Sequence, residues 1–242
     1  MIDQLEPLRD VWVYLSASPL LWLTATLAAY LAGDVLFQRA GGNPLLQPVA
    51  VAVGVLVLVL LLSGTSYRVY FDGAQFVHFL LGPATVALAV PLYAHWHQVK
   101  RAALPMLASL LAGSMTAVIS AVAVALLLGA STESVLSLAP KSVTTPVAMG
   151  ISQEIGGLPS LTAIVVILTG IVGAMTATPL LNLLGIRDFA ARGFATGVAA
   201  HGIGTARAFQ VSELAGVFAG IGMGLNALAT AILAPLVIRW LW

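Results

Sequence analysis

The sequence has no cysteine and very few charged residues. The absence of cysteine excludes disulfide bonds, thiolate nucleophiles and sulfur-rich metal sites. Charged residues make up 8% of the chain, against about 25% in soluble domains. Ten basic and nine acidic residues leave a net charge of +1, which argues against a nucleic-acid partner because phosphate neutralisation needs clustered cations. Hydrolase, phosphate-loop and metal-ligand motifs are also missing, so we expect neither an enzyme nor a metal or cofactor.

Apolar residues dominate what is present. They form 60% of the 242 residues, and the mean hydropathy is +1.03. Six stretches without Asp, Glu, Lys or Arg exceed the roughly 20 residues that a helix needs to cross a bilayer: 11–33, 40–67, 73–99, 102–132, 155–186 and 214–238. Lipid-exposed backbone must pair within its own segment, so these stretches predict an all-α, polytopic transmembrane bundle. We treat residues 1–242 as one integral membrane domain whose partner is the lipid bilayer, with 1–18 as an interfacial segment and not a cleaved signal peptide.

Charges interrupt two further segments, 132–155 and 188–213. The positive-inside rule places Arg39 and Lys100 on the cytoplasmic side. A full crossing by 132–155 would put Arg187 outside, whereas a re-entrant hairpin keeps it inside. We therefore predict about seven spans plus one re-entrant segment, with the N-terminus outside.

The first candidate binding segment surrounds Lys141. Two prolines, at 140 and 146, remove backbone donors and predict a broken helix between them. A helix that restarts near Pro146 would point its positive end into the break, and the Lys141 ammonium would add charge for a small anion. The candidate residues are Pro140, Lys141, Ser142, Val143, Thr144 and Thr145. The alternative is a shorter hairpin with Lys141 at the headgroup level.

A second break is predicted at Gly82-Pro83, with Pro83, Ala84 and Thr85 as candidate binding residues. Residues 81–86 echo residues 138–143, and a Leu-Pro pair and a long apolar helix follow each copy. Under the re-entrant topology the two long helices run in opposite directions, as in the inverted repeats of secondary transporters. We therefore predict an anion site between the two breaks. A proline kink and chance similarity are the alternatives.

A third candidate is the segment 199–209. Its glycines loosen the helix, and its polar side chains could donate to a carboxylate; the candidates are His201, Gly202, Thr205 and Arg207. In the alternative, Arg207 reaches the interface and pairs with Glu213, while His201 is a neutral packed imidazole.

The last apolar stretch contains three glycines spaced four residues apart. Gly216, Gly220 and Gly224 favour close helix packing or oligomerisation, and Asn226 could bond across the bundle.

Three strings carry a resemblance to a known family. They are HFLLGPATVALAVPLY at 78–93, LAPKSVTTP at 138–146 and AAHGIGTAR at 199–207, and they resemble the LrgB/CidB family from about Pro19 onward. The resemblance implies a bacterial cytoplasmic-membrane protein that works with a smaller LrgA/CidA-like membrane protein. Related proteins include the plastid glycolate/glycerate translocator, which implies small monocarboxylates as substrates.

The function we expect is therefore transport of a small monocarboxylate, such as glycolate, glycerate, pyruvate or lactate, by alternating access. The coupling ion, H⁺ or Na⁺, stays open. The alternative is a holin-like or antiholin-like protein that modulates murein hydrolase activity and assembles as a homo-oligomer.

Overall fold

The computed structural model describes residues 18–87 and 89–241, apart from the side chains of Leu81, Thr85 and Ala89. All regular elements among these residues are helices. The chain divides into two compact units, residues 1–87 and 88–242. The interfacial segment predicted at 1–18 lies outside the described residues except for Ser18.

The first unit is built around a pair of apolar helices. Its elements are α1 (Pro19–Arg39), a 3₁₀ helix (Pro44–Leu46), α2 (Pro48–Ser63), α3 (Tyr67–Phe79) and α4 (Leu81–Ala87). Ala29 of α1 packs against Ala52 and Leu56 of α2. Gly73 lets α3 approach α1 closely, because a Cβ at this position would overlap the Pro19 carbonyl.

The uncharged stretch 73–99, for which the sequence predicts a break at Gly82-Pro83, is not one continuous helix. It is divided among α3, α4, α5 (Ala89–Ala94) and α6 (Trp96–Arg101). The first break follows Phe79. Pro83, four residues later, has no N–H to donate to the Phe79 carbonyl, and its ring clashes with that carbonyl. The two echoing segments also differ locally, because 81–86 is helical whereas 139–143 forms turns.

The second unit contains the longer helices. After α5 and α6 come α7 (Ala103–Leu127), α8 (Thr132–Leu138), α9 (Thr145–Glu154), α10 (Pro159–Leu183), α11 (Phe189–Val211) and α12 (Glu213–Leu241). The two helices that begin at the Leu-Pro pairs, α7 and α10, each have 25 residues. One apolar cluster contains side chains from α7, α8, α9, α10 and α12. Its members include Val118, Val135, Val143, Val166 and Ala234.

The segment between α7 and α10 enters and leaves at one end of the unit. Helices α7 and α11 start at the same end, since Ala102 and Asp188 line one cavity. Helix α10 finishes at that end, because Arg192 near the start of α11 donates to Asn182 Oδ1 at 2.8 Å. Residues 128–158 therefore begin and end at the opposite end, so α8 and α9 form a re-entrant hairpin, and α7 and α10 run in opposite directions.

Helices α11 and α12 pack closely through glycine. A Cβ at Gly193 would overlap the Ala215 carbonyl, and a Cβ at Gly197 would overlap the Ala219 carbonyl. On α12, a Cβ at Gly222 would lie 2.7 Å from the Phe194 carbonyl oxygen of α11.

The glycines predicted to pack on α12 behave differently from one another. Gly216 faces the Phe209 ring, and Gly220 is half-buried. A Cβ at Gly224 would meet nothing within 4 Å, because this residue lies on the outward side of the helix. Gly224 is therefore not a packing contact within the described chain.

Four helices among the described residues are long and apolar enough to cross a membrane: α1, α7, α10 and α12. Helix α2 is apolar but shorter. The predicted all-α membrane architecture is confirmed, while the number of spans stays a prediction.

Candidate functional site

Lys141 lies in the turn at the tip of the re-entrant hairpin. Helix α8 ends at Leu138, and α9 starts at Thr145 with Pro146 in its first turn. The Lys141 ammonium lies 3.4 Å from the Ser142 hydroxyl oxygen, and the side chain is half-buried. Over the ranges 18–87 and 89–241, no carboxylate pairs with Lys141, and the contact of this kind that occurs places His95 Nε2 3.8 Å from Glu213 Oε1. The half-buried ammonium thus has no carboxylate partner among the described residues.

The residues around Lys141 anchor the tip. Val143 is fully buried in the apolar cluster, and Pro140 and Ser142 are buried as well. Thr144 is the N-cap residue of α9 but makes no side-chain capping bond, and Thr144 and Thr145 are both half-buried.

Asn226 of α12 connects this tip to three helices. Its Nδ2 donates to the Ser142 carbonyl at 3.0 Å and to the Val198 carbonyl of α11 at 2.9 Å. Its Oδ1 accepts from Ser114 Oγ of α7 at 2.6 Å and from Thr230 Oγ1 at 3.2 Å. Only 1% of Asn226 is exposed, so this amide is a fully bonded polar group inside the apolar unit.

A cavity of about 670 Å³ reaches from the ends of α7 and α11 to Lys141. Its walls are two rows of mostly small residues. They are Ala102, Pro105, Met106, Ser109, Ala112, Gly113, Thr116 and Ala117 beside and along α7, and Asp188, Ala190, Ala191, Phe194, Ala195, Val198 and Ala199 beside and along α11, with Lys141, Ser142 and Phe218. Lys141 is the cationic residue of this lining, and Asp188 is the acidic one.

The bonds of Asn226 give the depth of Lys141. They place Ser142 level with Ser114 and Val198. At about 1.5 Å per residue, Ser114 lies about 18 Å along the helix from Ala102, and Val198 lies about 15 Å from Asp188. Half of a hydrocarbon core about 30 Å thick is of the same size, so a core that began at Ala102 and Asp188 would have Lys141 near its middle.

His201 lies at a kink of α11. Its backbone φ of 42° and ψ of −133° are not helical, and they follow a distorted Ala200. The imidazole Nε2 lies 3.0 Å from the Val166 carbonyl of α10, and Thr205 Oγ1 donates to the His201 carbonyl at 2.8 Å. Gly170 leaves space for the ring, since a Cβ there would lie 2.6 Å from His201 Cε1. His201, the half-buried Gly202 and Thr205 are not among the residues that line the Lys141 cavity.

Arg207 is separated from Lys141. It lines a much smaller pocket of about 20 Å³ with Arg192 and Thr196, which lie on a different face of α11 from Ala195 and Ala199. The Arg207 Nη1 donates to Gln210 Oε1 at 3.2 Å. The predicted alternative, an Arg207 that reaches the surface beside Glu213, does not match either, because 7% of Arg207 is exposed and Glu213 lies 3.8 Å from His95.

The predicted partner break belongs to the first unit. Pro83 and Ala84 are exposed there, and the Thr85 side chain lies outside the described residues. The pairing of this break with the Lys141 break stays a prediction.

The cavity walls were not found from the sequence. The signal was nevertheless present, because Ser109, Gly113 and Ala117 on α7 and Ala191, Ala195 and Ala199 on α11 repeat every four residues. Such spacing puts small side chains on one helix face. Small residues at this spacing normally indicate tight helix packing in membranes, so the sequence alone did not suggest a cavity.

These features define an α-helical membrane protein with a helical hairpin and an open cavity whose lining includes one lysine. A model of the LrgB-like family matches residues 26–240, and the chain belongs to this family. The resemblance seen in the three sequence strings is thereby confirmed.

Named relatives cover nearly the whole chain. An uncharacterized protein of Bacillus subtilis, YxaC, is 38% identical over 90% of this chain and 94% of its own length. The holin-like protein CidB of Staphylococcus epidermidis is 32% identical over 93% of this chain and 97% of its own. CidB of Staphylococcus aureus is 32% identical over 90% and 95%. No solved structure matches the chain.

Proposed function

We propose that this chain is a holin-like membrane protein that changes the permeability of the bilayer in which it lies. The observation that carries this proposal is the similarity to CidB, a holin-like protein by name, over 93% of the chain. The bacterial inner membrane as its location, and regulation of murein hydrolases as its consequence, belong to the same proposal.

The outward face of α12 supports an assembled form. Gly224, Leu228 and Ile232 follow one another at four-residue spacing and are exposed. Residues at this spacing share one face of a helix. In the proposed assembly, copies of the chain associate through this face, and a smaller LrgA/CidA-like protein takes part.

A second function, transport of a small monocarboxylate, is favoured by the surroundings of Lys141. Burying a lysine at mid-membrane costs about 2.5 to 3.5 kcal/mol on insertion scales, so such residues usually serve a function. The ammonium would balance the carboxylate of the substrate, and the hydroxyl of Ser142 would add a donor. Alternating access, with H⁺ or Na⁺ as a coupling ion, belongs to this candidate.

One experiment on purified protein in liposomes separates the two functions. Vesicles loaded with a fluorescent dye are assayed for dye release, and parallel vesicles for counterflow of labelled glycolate, pyruvate and lactate. The holin-like function predicts dye release and solute flux that does not saturate. The carrier function predicts retained dye and saturable counterflow that Lys141→Ala abolishes.

The matched control is Lys100→Ala, which removes an exposed cation at the cavity end of the unit. This variant should keep carrier activity. Both assays are repeated with an LrgA-like protein present. Vesicles that neither leak nor exchange, with or without this partner, would contradict both proposals.

A further inference from the structure

We propose that Asn226 is the positioning residue of the re-entrant hairpin: its amide fixes the tip and so controls how readily molecules in the cavity reach residue 141. The inference deepens the proposed function in that it treats the Lys141 cavity as the functional site. It does not depend on which solute passes.

The amide bonds one carbonyl in the turn at the tip and one beside the kink of α11. Ser142 lies in the turn between α8 and α9, so its carbonyl is outside either helix. The Val198 carbonyl would normally accept from the amide four residues on, and the distortion at Ala200 and His201 falls inside that turn. A buried carbonyl without a donor is costly, and Asn226 Nδ2 donates to both.

The other end of the amide is held as firmly. Carbonyl oxygens only accept, so the nitrogen of Asn226 must face Ser142 and Val198. The Ser114 and Thr230 hydroxyls then donate to Oδ1. The amide cannot rotate without disturbing all of these bonds, which ties the Ser142–Val143 peptide to α7, α11 and α12 together.

A different polar group ties both helices of the same hairpin to α10. Thr162 Oγ1 of α10 lies 3.0 Å from the Ser137 carbonyl and 2.7 Å from Ser152 Oγ, and it is fully buried. Loss of this group should weaken the hairpin without releasing its tip. It therefore separates positioning of residue 141 from general stabilisation.

The test uses the absence of cysteine from the natural chain. Lys141→Cys introduces a single thiol, and its rate of reaction with the anionic reagent 2-sulfonatoethyl methanethiosulfonate is measured on the purified, reconstituted protein. Adding Asn226→Leu should change this rate by about tenfold, the factor that corresponds to one hydrogen bond of ordinary strength. Ser114→Ala, which loosens the amide without removing it, should change the rate in the same direction and by less.

Thr162→Val is the control, and its reaction rate should equal that of Lys141→Cys alone even though its melting temperature falls. If Asn226→Leu does not fold, the comparison of Ser114→Ala with Thr162→Val decides the matter. Equal rates in the Ser114 and Thr162 variants, or an unchanged rate in a folded Asn226→Leu protein, would overturn the proposal. Because the thiol lacks the ammonium and no flux is measured, such a result would leave the permeability proposal untouched.

Discussion

His201 shows how a single residue can be held in an unfavourable backbone conformation inside a membrane helix. Its positive φ is costly for any residue with a Cβ. The bond between its ring and Val166, and the space beside Gly170, hold the side chain in this place. The kink lies two and three residues after Val198, whose carbonyl accepts from Asn226.

At position 201 we predict that glycine gives a more stable protein than alanine, the reverse of their usual order in helices. Both substitutions of His201 remove the imidazole bond, but His201→Gly also removes the conformational strain. The glycine variant should be more stable than His201→Ala by about 1 kcal/mol. In a regular helix, glycine is instead less stable than alanine by about 1 kcal/mol. Thermal unfolding of the detergent-solubilised protein measures the difference.

Ala206→Gly is the control for that comparison, because Ala206 is exposed on the regular part of α11. It should destabilise the protein. A His201→Ala variant that is more stable than His201→Gly would show that the positive φ carries no strain.

At the scale of elements, the pair α11 and α12 depends on glycines that allow backbone contact. Hydrophobic burial does not drive helices together in lipid, so close van der Waals packing matters more there than in water. Gly193 and Gly197 meet carbonyl groups of α12 directly, and this closeness brings Asn226 to the Val198 carbonyl.

We predict that Gly197→Ala lowers the free energy of unfolding by about 1 to 3 kcal/mol, the usual cost of overpacking. Gly150→Ala is the matched substitution in the same unit, at an α9 position where a Cβ would meet nothing within 4 Å. It should be neutral or stabilising because alanine favours helix. Chemical denaturation followed by circular dichroism measures both, and equal effects would contradict the packing argument.

At the scale of the whole molecule, basic residues gather at the cavity end of the second unit. Lys100 and Arg101 precede α7, and Arg187 precedes α11, and these two helices start at the same end. The positive-inside rule predicts that this end faces the cytoplasm, and in that orientation the cavity would reach Lys141 from the cytoplasmic side.

Single cysteines test this orientation. Arg187→Cys should react with a membrane-impermeant thiol reagent in inverted membrane vesicles but not in intact cells of a bacterial host. Ser131→Cys, in the exposed turn before α8 at the other end, should show the opposite pattern. The reverse result would place the cavity on the external side.

The sequence by itself determined the membrane class, the family and the break around Lys141. These depend on local chemistry: long uncharged stretches need lipid, and prolines at 140 and 146 interrupt a helix whatever surrounds them. The positive-inside rule also predicted a re-entrant segment over 132–155, and α8 and α9 form a hairpin there.

Only the tertiary structure decided which residues share the site. It separated Arg207 from Lys141 and brought Asn226 to Ser142 and Ser114. The partners of Asn226 lie 84 and 112 positions away in the chain. Contacts over such separations depend on how helix faces pack, and in a nearly uniform apolar sequence many faces look alike, so local pattern carries no information about them.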